Sequence, residues 1–152
     1  MTRILMVCLG NICRSPLAHG ILESKLPSNT FFVDSAGTGN YHIGAAPDQR
    51  SIKVAQQNGI DISHQTCRQF QISDFDRFDL IYVMDDANFS NVVKLARTPD
   101  DISKVKLILT SQTNSSQEVP DPYFGTYKDF EHVYNLLDEA CEVISKALQN
   151  TK

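Results

Sequence analysis

Four apolar residues in a row, Ile4-Leu5-Met6-Val7, stand near the start of the chain with no polar residue among them. A strand with one face in water alternates apolar and polar residues. An unbroken run predicts a strand covered on both faces, as in a parallel sheet packed between helices. Similar runs recur at Asp79-Leu80-Ile81-Tyr82-Val83-Met84 and Val105-Lys106-Leu107-Ile108-Leu109, and briefly at Phe31-Phe32-Val33. Helical patterns fall between them. Ser15-Pro16 predicts an N-cap followed by proline at the first helical position, Leu17, Ile21, Leu22 and Leu26 share one face, and Pro27 ends the helix. A Gly/Asn-rich loop spans Gly37 to Gly44, a helix is predicted from Pro47 to Asn58 with Gly59 as its stop, and another from Asp86 to Ala96. A polar loop through Ser115-Ser116 leads to Pro120-Asp121-Pro122-Tyr123. The last helix starts near Thr126, where Thr126 and Asp129 fit a capping pattern, and carries the stripe Phe130, Val133, Leu137, Ala140, Ile144 and Leu148. This alternation predicts an α/β fold with its ligand site at the carboxyl ends of the strands.

With 152 residues the chain is the size of one domain, 1–152, able to bury a core without staples. The formal net charge of −4 argues against a general nucleic-acid binder, because phosphate backbones reward a basic surface. The apolar run to Leu9 is too short for a secretory signal core and lacks a cleavage site, and no stretch is long enough to span a membrane. The expected compartment is the reducing cytoplasm, with the four cysteines as thiols. His19, His42, His64 and His132 show no metal-ligand spacing, so neither metal nor cofactor is expected.

The informative loop follows the first strand: Cys8-Leu9-Gly10-Asn11-Ile12-Cys13-Arg14. Set between a buried strand and a helix start, it can curl its backbone N–H groups inward as an anion nest, reinforced by the positive end of the helix. Gly10 and Asn11 tolerate the left-handed backbone such a curl requires. Arg14 can grip two phosphate oxygens through its planar fork. Cys8 lies at the base, where those groups would hold it as a thiolate nucleophile. A cysteine at a strand end taken alone is simply a small buried side chain, and a bare C-x5-R pair arises often by chance. It is the combination with strand, Gly-Asn and helix start that points to phosphate. Neither a Walker A pattern nor G-x-G-x-x-G is present.

Phosphoryl transfer to Cys8 needs a proton for the leaving oxygen, and Asp121, stiffened by Pro120 and Pro122 in a loop after the last strand, is the candidate acid. Asp-Pro alone is also ordinary turn chemistry. Tyr123 beside it, and Tyr41 on the Gly-rich loop, are candidate walls for an aromatic ring, although each also reads as a partly buried loop aromatic. Asp74-Phe75-Asp76 and Asp85-Asp86 read as turn and cap residues.

Cys8 to Ser15 resembles the signature loop of the low-molecular-weight protein tyrosine phosphatases. Asp34-Ser35-Ala36-Gly37-Thr38, Tyr41-His42-Ile43-Gly44, Pro47-Asp48, Met84-Asp85 and Asp121-Pro122-Tyr123 follow the same family's order across essentially the whole chain. The resemblance implies a three-layer α/β/α fold with a four-stranded parallel sheet, flavodoxin-like. It implies hydrolysis of phosphotyrosine and small aryl phosphates through a phosphocysteine intermediate. Cys8 would be the nucleophile, Arg14 the phosphate clamp and Asp121 the acid and then base. Leu9, Gly10, Asn11, Ile12, Cys13, Arg14 and Ser15 would bind phosphate, with the Ser15 hydroxyl supporting the thiolate. Tyr41 and Tyr123 would flank the substrate ring, and Asn11, Ser35 and His64 would brace the loop. Cys13 would form a reversible disulfide with Cys8 that guards it from irreversible oxidation. Cys67 has no comparable role, and Cys141 beside the last helix's stripe is expected in the core. The partners implied are phosphotyrosine proteins, with inorganic phosphate as product and competitive ligand. A monomer or weak self-association through Tyr123 is expected.

The dual-specificity phosphatases share C-x5-R but carry histidine where this chain has Val7, and their acid precedes the nucleophile. Three rival readings share part of this pattern. Thiol-linked arsenate reductases share this loop but use two further cysteines after the middle strand, and Met84 to Ala96 contains none. Phosphoarginine phosphatases carry threonine where this chain has Ile12. A silent phosphate-binding module would lack Cys8, Arg14 or Asp121, and all three are present.

Overall fold

The computed structural model describes residues 1–111 and 118–150. The strands are β1 (Thr2–Cys8), β2 (Phe31–Gly37), β3 (Leu80–Val83) and β4 (Val105–Leu107). The helices are α1 (Arg14–Lys25), α2 (Gln49–Gln57), α3 (Asp74–Arg77), α4 (Asp86–Val93), α5 (Pro99–Ser103) and α6 (Tyr127–Asn150). The strands form one parallel sheet in the order β2-β1-β3-β4. The apolar run of β1 is central and fully buried, as its composition demands. Ile4, Met6 and Cys8 pack with α1, α2 and α6 on one face, while Leu5 and Val7 pack with Phe75 of α3 and Val92 of α4 on the other. The result is a three-layer α/β/α fold with four parallel strands. Cys141 is fully buried in the α6 layer.

Several boundaries differ from the sequence expectation, each for a physical reason. Helix α1 starts at Arg14 with Cys13 at the cap position and no side-chain cap, so Ser15 is not its N-cap. The Ser15 hydroxyl is engaged inside the loop instead, as described below. The first amides of α1 therefore have no protein side chain closing them, which suits an anion. Strand β2 runs past Val33 through Asp34 and Ser35 to Gly37, because it pairs with β1 along its whole length, Cys8 opposite Gly37. Gly37 has no alternative: a Cβ there would lie 2.8 Å from the Leu9 oxygen and 2.9 Å from the Asn11 nitrogen, both backbone. Helix α4 ends at Val93, and the bonds Leu95 N to Val92 O and Ala96 N to Val93 O tighten the chain into a 3-10 turn as far as Ala96. Strand β4 stops at Leu107 and a 3-10 turn carries Ile108–Ser111. The polar loop through Ser115-Ser116 lies outside the described residues. At α6 the capping pair behaves as expected in one half: Asp129 Oδ2 accepts from the Thr126 N–H at 2.7 Å. Among the described residues no helix is long and apolar enough to cross a membrane.

Candidate active site

The carboxyl end of β1 delivers Cys8 to the floor of a cavity of about 190 Å³, walled by Arg14, Asp121, Tyr41 and Tyr123. Cys8 is almost fully buried, and its Sγ accepts from the Asn11 N–H at 3.3 Å. This bond exists because Asn11 sits at φ 59°, the one positive φ outside glycine among the described residues, which turns its N–H back toward the sulfur. The Asn11 side chain locks the turn. Its Nδ2 donates to Ser15 Oγ at 2.7 Å, and its Oδ1 accepts from the Arg68 N–H at 3.0 Å. Ser15 Oγ lies 3.1 Å from Cys8 Sγ and 3.4 Å from the Ala36 oxygen, so its own proton has two acceptors, one of them the sulfur.

Arg14 reaches the cavity from the first turn of α1, with a side chain only 3% exposed. Its Nη1 donates to Asp85 Oδ2 at 2.7 Å and to the Val119 oxygen at 2.9 Å, and Nη2 lies 3.7 Å from Asp121 Oδ2. Burial opposes the guanidinium charge, but the Cys8 sulfur, Asp85 and Asp121 outweigh it and push its pKa up. Asp85 also caps α4 by accepting from the Asn88 N–H at 2.8 Å, so one carboxylate fixes both the helix start and the arginine. Asp121 is nearly half exposed at the rim, and its Oδ1 accepts from the Tyr123 N–H at 3.1 Å. Pro120 and Pro122 stiffen this turn.

Four outer contacts hold the loops in place. The Asp48 N–H donates to the Ile12 oxygen at 2.8 Å and Ser51 Oγ to the Cys13 oxygen at 3.2 Å, tying the loop to the start of α2. Arg50, paired with Asp48, donates to the Tyr123 oxygen at 3.0 Å and so anchors the loop that carries Asp121. Cys67 donates its S–H to the Asn11 oxygen at 2.7 Å, and burial together with the nearby Cys8 pushes its thiol up to about 11. Burial, followed by Asp48 and Cys8, likewise raises the Cys13 thiol well above its ordinary range.

The structure gathers Cys8, Leu9, Gly10, Ile12, Cys13, Arg14, Tyr41, Asp121 and Tyr123 around one cavity, with Asn11 and Ser15 bonded beneath it. His64 is a correction. It is exposed, beside Glu23 and Asp61, because the turn at 63–64 sends it outward while its neighbour Gln65 points inward to the Pro16 oxygen. The histidine against Ser35 is His19, whose Nδ1 lies 3.0 Å from Ser35 Oγ. His19 stands four residues after Ser15 on α1, a spacing that puts both on one face and could have marked it. Asp74 does close a turn, its N–H donating to the Gln71 oxygen at 2.9 Å and its Oδ2 accepting from the Gln71 N–H at 2.8 Å, but it is also fully buried and accepts from Arg68 and Arg77. His42 and Phe124 complete the cavity rim, a position nothing local in the sequence marked. Among the described residues no cluster of three or more His, Cys, Asp or Glu could hold a metal.

The sequence profile of low molecular weight phosphotyrosine protein phosphatase matches residues 3–152. The enzyme of that name from Dictyostelium discoideum is 37% identical over 153 residues, covering 88% of this chain and 86% of its own. The Homo sapiens one is 36% identical over 148 residues, covering 91% and 90%. Among solved structures, a protein tyrosine phosphatase from Entamoeba histolytica superposes with a TM-score of 0.92 at 33% identity, covering 99% of each chain. Vibrio vulnificus Wzb in complex with benzylphosphonate superposes at 0.85 with 31% identity, covering 96% of this chain and 98% of that one. The chain belongs to the low-molecular-weight phosphotyrosine protein phosphatase family.

Proposed function

We propose that the chain is a protein tyrosine phosphatase that hydrolyses phosphotyrosine and small aryl phosphates through a phosphocysteine intermediate. One observation carries the proposal: a cysteine at the floor of an aromatic-walled cavity, under a guanidinium that also faces a rim carboxyl 3.7 Å away. The phosphate dianion sits on the loop amides and Arg14, which spread its charge and orient phosphorus over Cys8 Sγ. Sulfur attacks, the bond from phosphorus to the phenolic oxygen breaks, and Asp121 in its acid form gives that oxygen its proton. Asp121, now a carboxylate, takes a proton from water. The water oxygen bonds to phosphorus, the S–P bond breaks, and inorganic phosphate leaves the restored thiolate. Tyr41 and Tyr123 hold the ring, and the benzylphosphonate in the Wzb complex supports the same ligand class here.

The proposal places this chemistry in a single domain, 1–152, acting in the cytoplasm on phosphotyrosine proteins. It needs no metal or cofactor, and inorganic phosphate competes with substrate. Exposed Tyr123 and Phe124 allow weak self-association of a monomer. The test is p-nitrophenyl phosphate hydrolysis in EDTA. Turnover should persist, and Cys8→Ser should abolish it while phosphate still binds. An active Cys8→Ser protein would overturn the mechanism.

A further inference from the structure

A second cleft, of about 380 Å³, adjoins the catalytic cavity and shares Leu9 and Tyr41 with it. Tyr41 is the partition. Its ring lies over Gly39, where a Cβ would come within 2.5 Å of a ring carbon, so glycine lets the ring settle there. Beyond the partition, Phe70 and Leu95 give apolar surface, and Asn91, Lys94 and Thr38 bring donors. No carboxylate lines this cleft, and none among the described residues pairs with Lys94. The Thr38 hydroxyl oxygen is buried without a partner among the described residues, an unmet need that a native chain rarely leaves. Lys94 and Thr38 line the same cleft.

We infer that this cleft is a subsite for an acidic side chain, aspartate or glutamate, within two residues of the phosphotyrosine in the protein substrate. The inference rests on the phosphatase function proposed above and names the substrate class for it. A ring held against Tyr41 puts its own backbone at the cavity mouth. A neighbouring side chain then passes over the partition toward Lys94 and Thr38, with its methylenes on Phe70 and Leu95. Lys94 is exposed, so its attraction is screened by water and the preference is modest and salt-sensitive.

The experiment compares phosphotyrosine peptides that differ only by glutamate or glutamine at positions within two residues of the phosphotyrosine. Their kcat/KM values are measured for the natural enzyme, Lys94→Ala, Lys94→Glu and Thr38→Val, with p-nitrophenyl phosphate as a substrate too small to reach the cleft. The natural enzyme should favour glutamate about threefold at low salt at one position or more, the size of a single exposed ion pair. Lys94→Ala should bring the ratio to about one and Lys94→Glu below one, and Thr38→Val should lower it, while p-nitrophenyl phosphate turnover stays within about twofold. No glutamate preference at any position, or a preference unmoved by Lys94→Glu, overturns the subsite. If the natural enzyme fails on p-nitrophenyl phosphate, the phosphatase proposal falls, and the subsite falls with it.

Discussion

Replacing Asn11 separates two contributions to the loop, its backbone and its side chain. Asn11 holds φ 59°, a region that costs an ordinary L residue about 1–2 kcal/mol and that asparagine and glycine tolerate better. Its buried side chain also makes two hydrogen bonds, to Ser15 Oγ at 2.7 Å and from the Arg68 N–H at 3.0 Å. Each contributes about 1 kcal/mol, and removing Asn11 leaves both partners without it. Asn11→Gly loses only the side chain, so it should cost about 2 kcal/mol. Asn11→Ala loses the side chain and strains the backbone, about 3 kcal/mol in all. For a domain this size the melting temperature should then fall about 4–8 °C for glycine and about 6–12 °C for alanine. Thermal or urea unfolding reads these losses, and kcat/KM on p-nitrophenyl phosphate reads the loop, with alanine again the worse because it displaces the N–H that faces Cys8. An alanine variant as stable as the glycine variant would refute the backbone argument. Two variants as stable as the natural chain would refute the hydrogen-bond argument.

Three further outcomes are expected. Asp85→Asn keeps an acceptor for the Asn88 N–H but removes the ionic partner of a nearly buried Arg14, which retains the Val119 oxygen and Asp121. Urea unfolding should show a loss of about 2–3 kcal/mol, less than for a pair with no second partner, and phosphate should recover part of it because the dianion takes the carboxylate's place. Cys13→Ser should change the response to peroxide, which oxidises Cys8 to the sulfenic acid. Cys13 should condense with it, losing water, and dithiothreitol then restores activity in the natural enzyme, whereas in the variant excess peroxide carries the unguarded sulfenic acid on to the sulfinic acid, which dithiothreitol does not reduce. Burial holds Cys13 as a thiol well above its ordinary range, so its thiolate fraction rises with pH. Disulfide formation should therefore accelerate between about pH 7 and pH 9, and mass spectrometry of alkylated samples tracks it.

The sheet was legible because Ile4 to Val7 of β1 and the whole of β3 are apolar without interruption, and only burial on both faces explains such runs. The meeting of Cys8 and Arg14 at one cavity was legible because the loop from Cys8 to Arg14 is local: strand, turn and helix start are consecutive in the chain. What escaped was long-range. Asp85 reaches Arg14 across 71 positions, and Cys67 and Arg68 reach Asn11 across 56 and 57. No periodicity encodes such meetings. Ser15 before Pro16 reads as a helix cap, yet its hydroxyl is bonded to Asn11 and faces the Cys8 sulfur, so tertiary contact overrides the local signal. His64 and His19 show the same limit: only packing decides which histidine turns toward Ser35.

The most direct test of the central claim is to catch the intermediate. Enzyme mixed with an aryl phosphate and quenched in acid within a turnover should carry one phosphoryl group on Cys8, found by peptide mass spectrometry. Asp121→Asn given a substrate with a good leaving group should accumulate more of it, because cleavage by water loses its base while the first step hardly needs the acid. A phosphoryl group on any other residue, or rapid turnover with Cys8 never labelled, would contradict the account.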